Sequence, residues 1–122
     1  MKVKMIGCYK EIPHGKNKLN SIRDFLSQEI IKDKEKIVKY LENGIVVATS
    51  PGIITDVLSP NNEVIGNETW YTDGKYIWCS ELSYYIEKYN LKLDDEFINY
   101  IRDNNWEIKN KKEIDIENLE EE

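Results

Sequence analysis

Residues 63–89 read EVIGNETWYTDGKYIWCSELSYYIEKY, and this stretch decides the fold. Asp73-Gly74 lies between two runs rich in apolar and aromatic residues, the strongest short hairpin signal in the chain, so it predicts two antiparallel strands. Beyond Trp78 the apolar period lengthens, and Leu82 and Tyr85 share one face of a helix that Ser80 can cap. The stretch therefore predicts a hairpin followed by a helix.

The remaining sequence predicts further strands and helices on both sides of this stretch. The predicted elements are a strand over 3–9, a helix that begins at Ser21, a helix that begins at Asp33, strands over 45–49 and 53–58, and a helix that begins at Asp94. Ser50-Pro51-Gly52 is predicted to turn between the strands over 45–49 and 53–58 and join them as a hairpin.

Together these elements predict an α+β domain, in which an antiparallel meander with the Asp73-Gly74 hairpin packs against about four helices. A chain of 122 residues has room for one core, which we assign to residues 1–106. Residues 107–122 contain seven acids and three lysines, and we expect this acidic segment to be frayed or disordered.

The charge balance bears on the kind of partner. The net charge of −6 disfavours nucleic-acid binding, which depends on neutralising phosphates, and it suits a basic protein partner. Simple solubility is the alternative explanation of this charge. No run approaches the ~20 apolar residues of a membrane span, and the charged N-terminal stretch does not read as a signal peptide, so we expect a cytoplasmic protein without a membrane partner.

The sequence shows no recognisable catalytic or metal-binding motif. His14 is the single histidine, and a zinc site would have to combine it with Cys8, Cys79 or carboxylates that lack ligand spacing. Cys79 could be activated by the helix that begins near Ser80, but the sequence indicates no partner base for it. We therefore predict no catalytic residue, no metal and no cofactor, and we do not expect an enzyme.

Aromatic residues crowd the Asp73-Gly74 hairpin and the helix after it. Alternation along the strands predicts Trp70, Tyr76 and Trp78 on one face and Tyr71 on the other, so some aromatic surface should be exposed. Aromatic side chains dominate binding hot spots, and acids among them complement a basic partner. The predicted partner-binding residues are Trp70, Tyr71, Asp73, Tyr76, Glu81, Tyr84 and Glu87. The alternative is that these aromatics form the core.

The segment from Val47-Ala48-Thr49-Ser50-Pro51-Gly52-Ile53 through Thr72–Trp78 to Leu82–Tyr89, with Phe97 beyond it, resembles small bacterial immunity-type proteins of polymorphic-toxin systems. The resemblance covers roughly residues 3–102. It implies a cytoplasmic inhibitor that binds a cognate toxin domain, and it brings no catalytic residues with it.

Two other functions remain open from the sequence. One is a small-ligand module or an unfamiliar small enzyme with a pocket lined by Tyr76, Trp78 and Tyr85. The other is a phage- or plasmid-encoded inhibitor of host defence. The sequence leaves strand order, the oligomeric state and the identity of the partner undetermined.

Overall fold

The computed structural model describes residues 1–15 and 20–121. Its strands are β1 (Lys2–Met5), β2 (Ile45–Thr55), β3 (Val64–Thr72), β4 (Tyr76–Cys79) and β5 (Glu120–Glu121). Its α-helices are α1 (Lys34–Glu42), α2 (Glu81–Tyr89) and α3 (Asp95–Asp103), and single 3-10 turns lie at Ile22–Phe25, Lys111–Glu113 and Ile116–Asn118. The α+β class predicted from the sequence is confirmed.

The sheet is mixed, so the prediction of an antiparallel sheet was wrong in part. The strand order is β2-β3-β4-β1-β5. The pairs β2–β3 and β3–β4 are antiparallel, which confirms the meander, but β1 runs parallel to both β4 and β5. The direction of β1 depends on a partner about seventy positions away in the chain, and no local pattern specifies it.

β2 is one continuous strand, whereas the sequence predicts a hairpin at Ser50-Pro51-Gly52. β2 pairs with β3 on both sides of this tripeptide, and the ladder register shifts between Thr49 and Ile53. Because β2 lies at the edge of the sheet, Pro51 is tolerated there without loss of a central ladder bond. The tripeptide therefore makes an irregularity within an edge strand.

The hairpin between β3 and β4 is confirmed, but its register differs from the predicted alternation. Thr72 opposes Ile77 and Tyr71 opposes Trp78, and residues 73–75 form the connection between the two strands. Directly opposite residues share a face, which places Tyr71 with Trp78 and leaves Trp70 on the other face with Cys79.

Asp73 holds this connection through both carboxylate oxygens. Its Oδ1 accepts hydrogen bonds from the backbone N–H groups of Lys75 (2.9 Å) and Tyr76 (2.7 Å), and its Oδ2 accepts one from the Tyr40 hydroxyl (2.6 Å). The aspartate is 6% exposed. Its role is to form the turn and to attach the turn to α1.

The described chain has three α-helices rather than about four, because the helix predicted from Ser21 ends after one 3-10 turn. Ser21 does cap that turn, since its side chain accepts a hydrogen bond from the Arg23 N–H. Leu26 then becomes extended and forms an isolated bridge with Leu91. The other three predicted helices are present.

Side chains from all three helices and from β4 build the core, with Tyr76, Trp78 and Phe97 among its largest members. Gly44 allows the close approach of α1 to the sheet, because a Cβ added there would lie 2.7 Å from Tyr71 Cβ and 2.8 Å from Trp78 Cζ2. No helix in the described part of the chain is both long enough and apolar enough to cross a bilayer.

The described part of the acidic segment 107–122 is ordered in the structure, although the sequence favours a frayed tail. β5 pairs with β1, and the Glu120 N–H donates to the Met1 carbonyl (2.8 Å). Ile114 lies over the β3–β4 connection. A Cβ added to Gly74 would lie 3.2 Å from the Ile114 side chain. The division at residue 106 stays a prediction.

Candidate functional site

Three of the seven predicted partner-binding residues are buried: Asp73 (6% exposed), Tyr76 (1%) and Glu81 (2%). The Tyr76 ring packs edge-on against Phe97 inside the core. These three side chains therefore present no surface to a partner in this structure, which corrects the predicted set. The sequence missed this because a hairpin and a helix start rich in Tyr and Trp can equally supply a core.

The other four predicted residues are accessible. Trp70, Tyr71 and Tyr84 are partly exposed, and Glu87 is exposed. Tyr71 packs against the core from its edge. The Tyr84 hydroxyl donates to Asp56 Oδ2 (2.8 Å), which fixes that ring at the end of β2. The structure does not gather the four residues into one contact cluster.

His14 joins Trp70 and two carboxylates into a cluster that the sequence did not predict. Its Nε2 forms a very short contact with Glu81 Oε1, and its Nδ1 lies 3.8 Å from Glu68 Oε1. Glu68 in turn accepts a hydrogen bond from Trp70 Nε1 (2.9 Å), and the Trp70 ring stands edge-on to the imidazole at 5.5 Å. The loop after β1 is thereby attached to β3 and to the first turn of α2.

Cys79 belongs to the same cluster. The ligand atoms of His14, Cys79 and Glu81 all lie within 4.8 Å of one another. Burial raises the pKa of the Cys79 thiol, and the nearby Glu81 carboxylate raises it further. Since a thiol is nucleophilic as its thiolate, this environment opposes nucleophilic catalysis, although the three residue types would suit it.

The second accessible feature is the β2–β3 ribbon, which we define as residues 45–55 and 64–72. β2 is an edge strand, so in the described chain β3 is its only ladder partner. The ribbon exposes large apolar side chains at Val46 (51%), Ile53 (67%) and Val64 (67%). An uncovered edge with exposed apolar side chains is a surface to which a further strand can add.

The ribbon also lies in a stretch without any basic residue. Residues 43–74 contain no Lys, Arg or His, and their charged members are Asp56, Glu63, Glu68 and Asp73. The stretch therefore carries a net charge of −4 by sequence, two thirds of the net charge of the whole chain. This signal lies in the sequence itself, as does the acidic C-terminal segment 107–122.

A groove of about 440 Å³ lies between the His14 loop and one end of β2. Glu11 and His14 border it on one side, Gly52 and Thr55 on the other, and Glu68 also lines it. Tyr76, Trp78 and Tyr85, which were predicted to line a pocket, are each 1% exposed and pack within the core.

At the far end of β2, Asp56 forms a buried polar cluster and is fully inaccessible to solvent. Its carboxylate accepts hydrogen bonds from Tyr89 (2.6 Å), Tyr84 (2.8 Å) and the Leu58 N–H (2.8 Å). Burial raises the pKa of Asp56, but these donors and the nearby Lys88 outweigh burial, so the pKa lies below its usual value. The cluster therefore fixes the end of β2 against α2, which is a structural role.

Comparisons with protein-family models, with curated proteins and with solved structures find no match for this chain. The functional argument therefore depends on the geometry and charge of the residues described above.

Proposed function

We propose that this protein is a cytoplasmic immunity protein, which inhibits a cognate bacterial toxin domain by direct contact along the β2–β3 ribbon. The observation that carries the proposal is the open edge of β2, with Val46 and Ile53 exposed in a stretch that contains no basic residue. Such a surface offers backbone hydrogen bonds, apolar contact and negative potential to the same partner.

Backbone geometry supports docking at the first half of β2. Residues 45–49 precede the Ser50-Pro51-Gly52 irregularity, and their ladder bonds engage β3 on one side. Proline and strand irregularities discourage edge pairing. Pro51 lies in the middle of β2, and register shifts fall between Val46 and Ala48 as well as at the tripeptide and near Thr55. Residues 45–49 contain no proline, and a partner strand would add beside them.

Charge supports a basic partner. Glu68 is partly exposed, and Glu63 is exposed and pairs with Lys88 at 3.0 Å. The other two acids of the stretch 43–74, which has no basic residue of its own, are buried. A surface of one sign accelerates the association of a partner of the opposite sign and repels partners of like charge. A toxin domain with a basic active surface would associate rapidly with this surface and would not be repelled by it.

The proposed anchor residues are Trp70 and Tyr71, the two ribbon aromatics from the predicted set that stay partly exposed. They lie on opposite faces of the ribbon, with Tyr71 opposite Val46 and Trp70 opposite Ala48, so a partner would have to contact both faces at this edge. Tyr84 and Glu87 lie on α2 and remain predicted contacts at its margin. Aromatic anchors at the centre of an interface set the dissociation rate, whereas rim charges mainly set the association rate.

The test of function is protection of cells. The polypeptides encoded by the genes adjacent to this one would be expressed in a heterologous host, and growth would be measured with and without this protein. We expect one of them to arrest growth and wild-type protein to restore it, whereas Val46→Lys protein should fail to restore it. Ile30→Lys is the matched control, since it adds the same side chain at a residue that is 80% exposed and outside the ribbon.

A phage- or plasmid-encoded inhibitor of host defence would use the same kind of surface. The two functions differ in the partner: protection against an adjacent toxin supports immunity, whereas binding to a host defence protein without such protection would contradict it.

A further inference from the structure

His14, Cys79 and Glu81 come from three parts of the fold: the loop after β1, the end of β4 and the first turn of α2. Together they bring one nitrogen, one sulfur and one oxygen within 4.8 Å of one another. These are the donor atoms that zinc takes in proteins. We propose that these three side chains bind one zinc ion.

The three atoms would have to rearrange to hold such an ion. Zinc bonds of about 2.0–2.3 Å in a tetrahedral site place ligand atoms about 3.3–3.8 Å apart. The longest separation in the cluster would close by about 1 Å, while His14 Nε2 and Glu81 Oε1, now in direct contact, would move apart; side-chain rotation can supply both changes. Three protein ligands leave the fourth tetrahedral position to water.

Glu81 supplies an independent observation that points to a ligand. Its side chain is 3% exposed, and within the described chain its Oε2 has no hydrogen-bond partner. The Cys79 thiol beside it is at most a weak donor, and among the described basic side chains only His14 comes within 4 Å of the carboxylate, at Oε1. A buried carboxylate oxygen without a strong donor costs free energy, and a metal ion is one partner that would remove this cost.

Glu68 occupies the position of an outer-sphere residue of a metal site. It holds a carboxylate oxygen 3.8 Å from His14 Nδ1, while its other oxygen is fixed by Trp70 Nε1 at 2.9 Å. At 3.8 Å the Glu68 oxygen lies beyond hydrogen-bond distance, but a carboxylate that moves close enough to accept from Nδ1 favours the tautomer whose Nε2 can bind a metal. In this structure Nε2 contacts Glu81, and zinc would replace that contact.

The site has a route to solvent. The His14 side chain is 16% exposed, and His14 and Glu68 both border the groove of about 440 Å³. A bound ion would attach the His14 loop to the start of α2, beside Trp70. This inference does not depend on the proposed immunity function.

The test titrates purified, metal-stripped full-length protein with Co²⁺ under reducing conditions, and then with Zn²⁺. We expect one equivalent of Co²⁺ to produce a thiolate-to-cobalt charge-transfer band that one equivalent of Zn²⁺ abolishes. We also expect Zn²⁺ to raise the thermal midpoint of the wild-type protein. Excess Mg²⁺ should leave the band unchanged, because adventitious binding to surface carboxylates gives no thiolate band.

Two cysteine variants assign the ligand. Cys79→Ser should abolish the band, whereas Cys8→Ser, the matched control at the other cysteine, should retain it. Glu68→Gln should keep the band and weaken Zn²⁺ binding about 10- to 100-fold, as loss of an outer-sphere partner does. Circular dichroism would verify that each variant is folded.

Absence of the band in folded wild-type protein would overturn the proposal without reference to any variant. Persistence of the band in Cys79→Ser, or its loss in Cys8→Ser alone, would also overturn it. In those cases the contact between His14 and Glu81 would be a direct ion pair that fastens the loop.

Discussion

At the scale of single residues, the buried carboxylate of Asp56 makes a stability prediction with a definite pH dependence. The pKa of Asp56 in the folded protein lies below its usual value, despite burial, because Tyr89, Tyr84 and the Leu58 N–H donate to the carboxylate. The folded protein therefore binds fewer protons here than the unfolded chain does. The contribution is fully present above the unfolded pKa of about 3.9 and is lost as pH falls through the folded pKa.

Asp56→Asn should lower the free energy of unfolding at pH 7 by about 2 kcal/mol, because charge-assisted hydrogen bonds become neutral ones. Urea unfolding at pH 7 and at a series of lower pH values would measure this. The gap between wild type and variant should narrow as the carboxylate is protonated. A gap that stays constant down to pH 2 would mean that the charge of Asp56 contributes nothing.

Gly44 makes a second residue-scale prediction, about packing. A Cβ at this position would meet Tyr71 Cβ and Trp78 Cζ2 at distances under 3 Å. Gly44→Ala should therefore destabilise the fold by about 1–3 kcal/mol, the range of overpacked cores. Gly52→Ala is the control, since its nearest contact, Ser50 Oγ, is 3.4 Å away and it should change stability by less than about 0.5 kcal/mol. Equal effects of the two variants in thermal unfolding would contradict this packing argument.

At the scale of elements, β5 decides whether the acidic C-terminal segment belongs to the folded domain. It pairs with β1, and the N-terminal ammonium group donates to the Asn118 carbonyl at 2.9 Å. Removing residues 107–122 should lower the free energy of unfolding by about 1–3 kcal/mol, as expected for the loss of two or three hydrogen bonds. Hydrogen exchange should also become faster in β1. Unchanged stability and exchange would instead agree with the frayed segment that the sequence favours.

The elements show where sequence reasoning succeeds in this protein. The hairpin around Asp73-Gly74 carries its own turn residues, and helices α1, α2 and α3 carry their own apolar spacing, so local pattern is enough to predict them. The predicted N-cap residues Asp33, Ser80 and Asp94 make no side-chain cap hydrogen bond. The helix predicted from Ser21 fails because Leu26 pairs with Leu91, a partner outside any local window. The parallel direction of β1 could not be predicted for the same reason, because its partners β4 and β5 are distant in the chain.

The candidate site, like the fold, could be predicted only where the local sequence determines it. The absence of basic residues in 43–74 can be read directly from the sequence. The open edge depends on the strand order, which the sequence leaves undetermined. The meeting of His14 with Glu81 could not be predicted, because 67 positions separate them and the ligand spacing is not a local motif. The burial of Tyr76 likewise depends on contacts with Phe97 and Tyr100 from α3.

At the scale of the whole molecule, charge is distributed unevenly, and this predicts how association depends on salt. Residues 43–74 carry four acids and no basic residue, although Lys88 of α2 pairs with Asp56 and Glu63. The association rate with the partner should fall by about tenfold or more between 20 and 500 mM NaCl, because salt screens steering at this range. Stopped-flow or biosensor rates would measure this. A rate that is independent of salt would contradict electrostatic steering by this surface.

The dissociation rate should depend on different residues. Trp70→Ala should raise it, since truncating an aromatic anchor removes desolvated contact area and leaves the steering charges in place. Because Trp70 also contacts His14 and Glu68, a parallel measurement of unfolding is required for this variant.

The most direct measurement is calorimetric titration of the partner identified by growth protection against wild type, Val46→Lys and Ile30→Lys. Docking along the ribbon predicts a 1:1 complex that Val46→Lys weakens by about 30-fold or more, corresponding to about 2 kcal/mol, while Ile30→Lys binds like wild type. Equal affinity of Val46→Lys and wild type would contradict the claim that the β2–β3 ribbon is the binding surface.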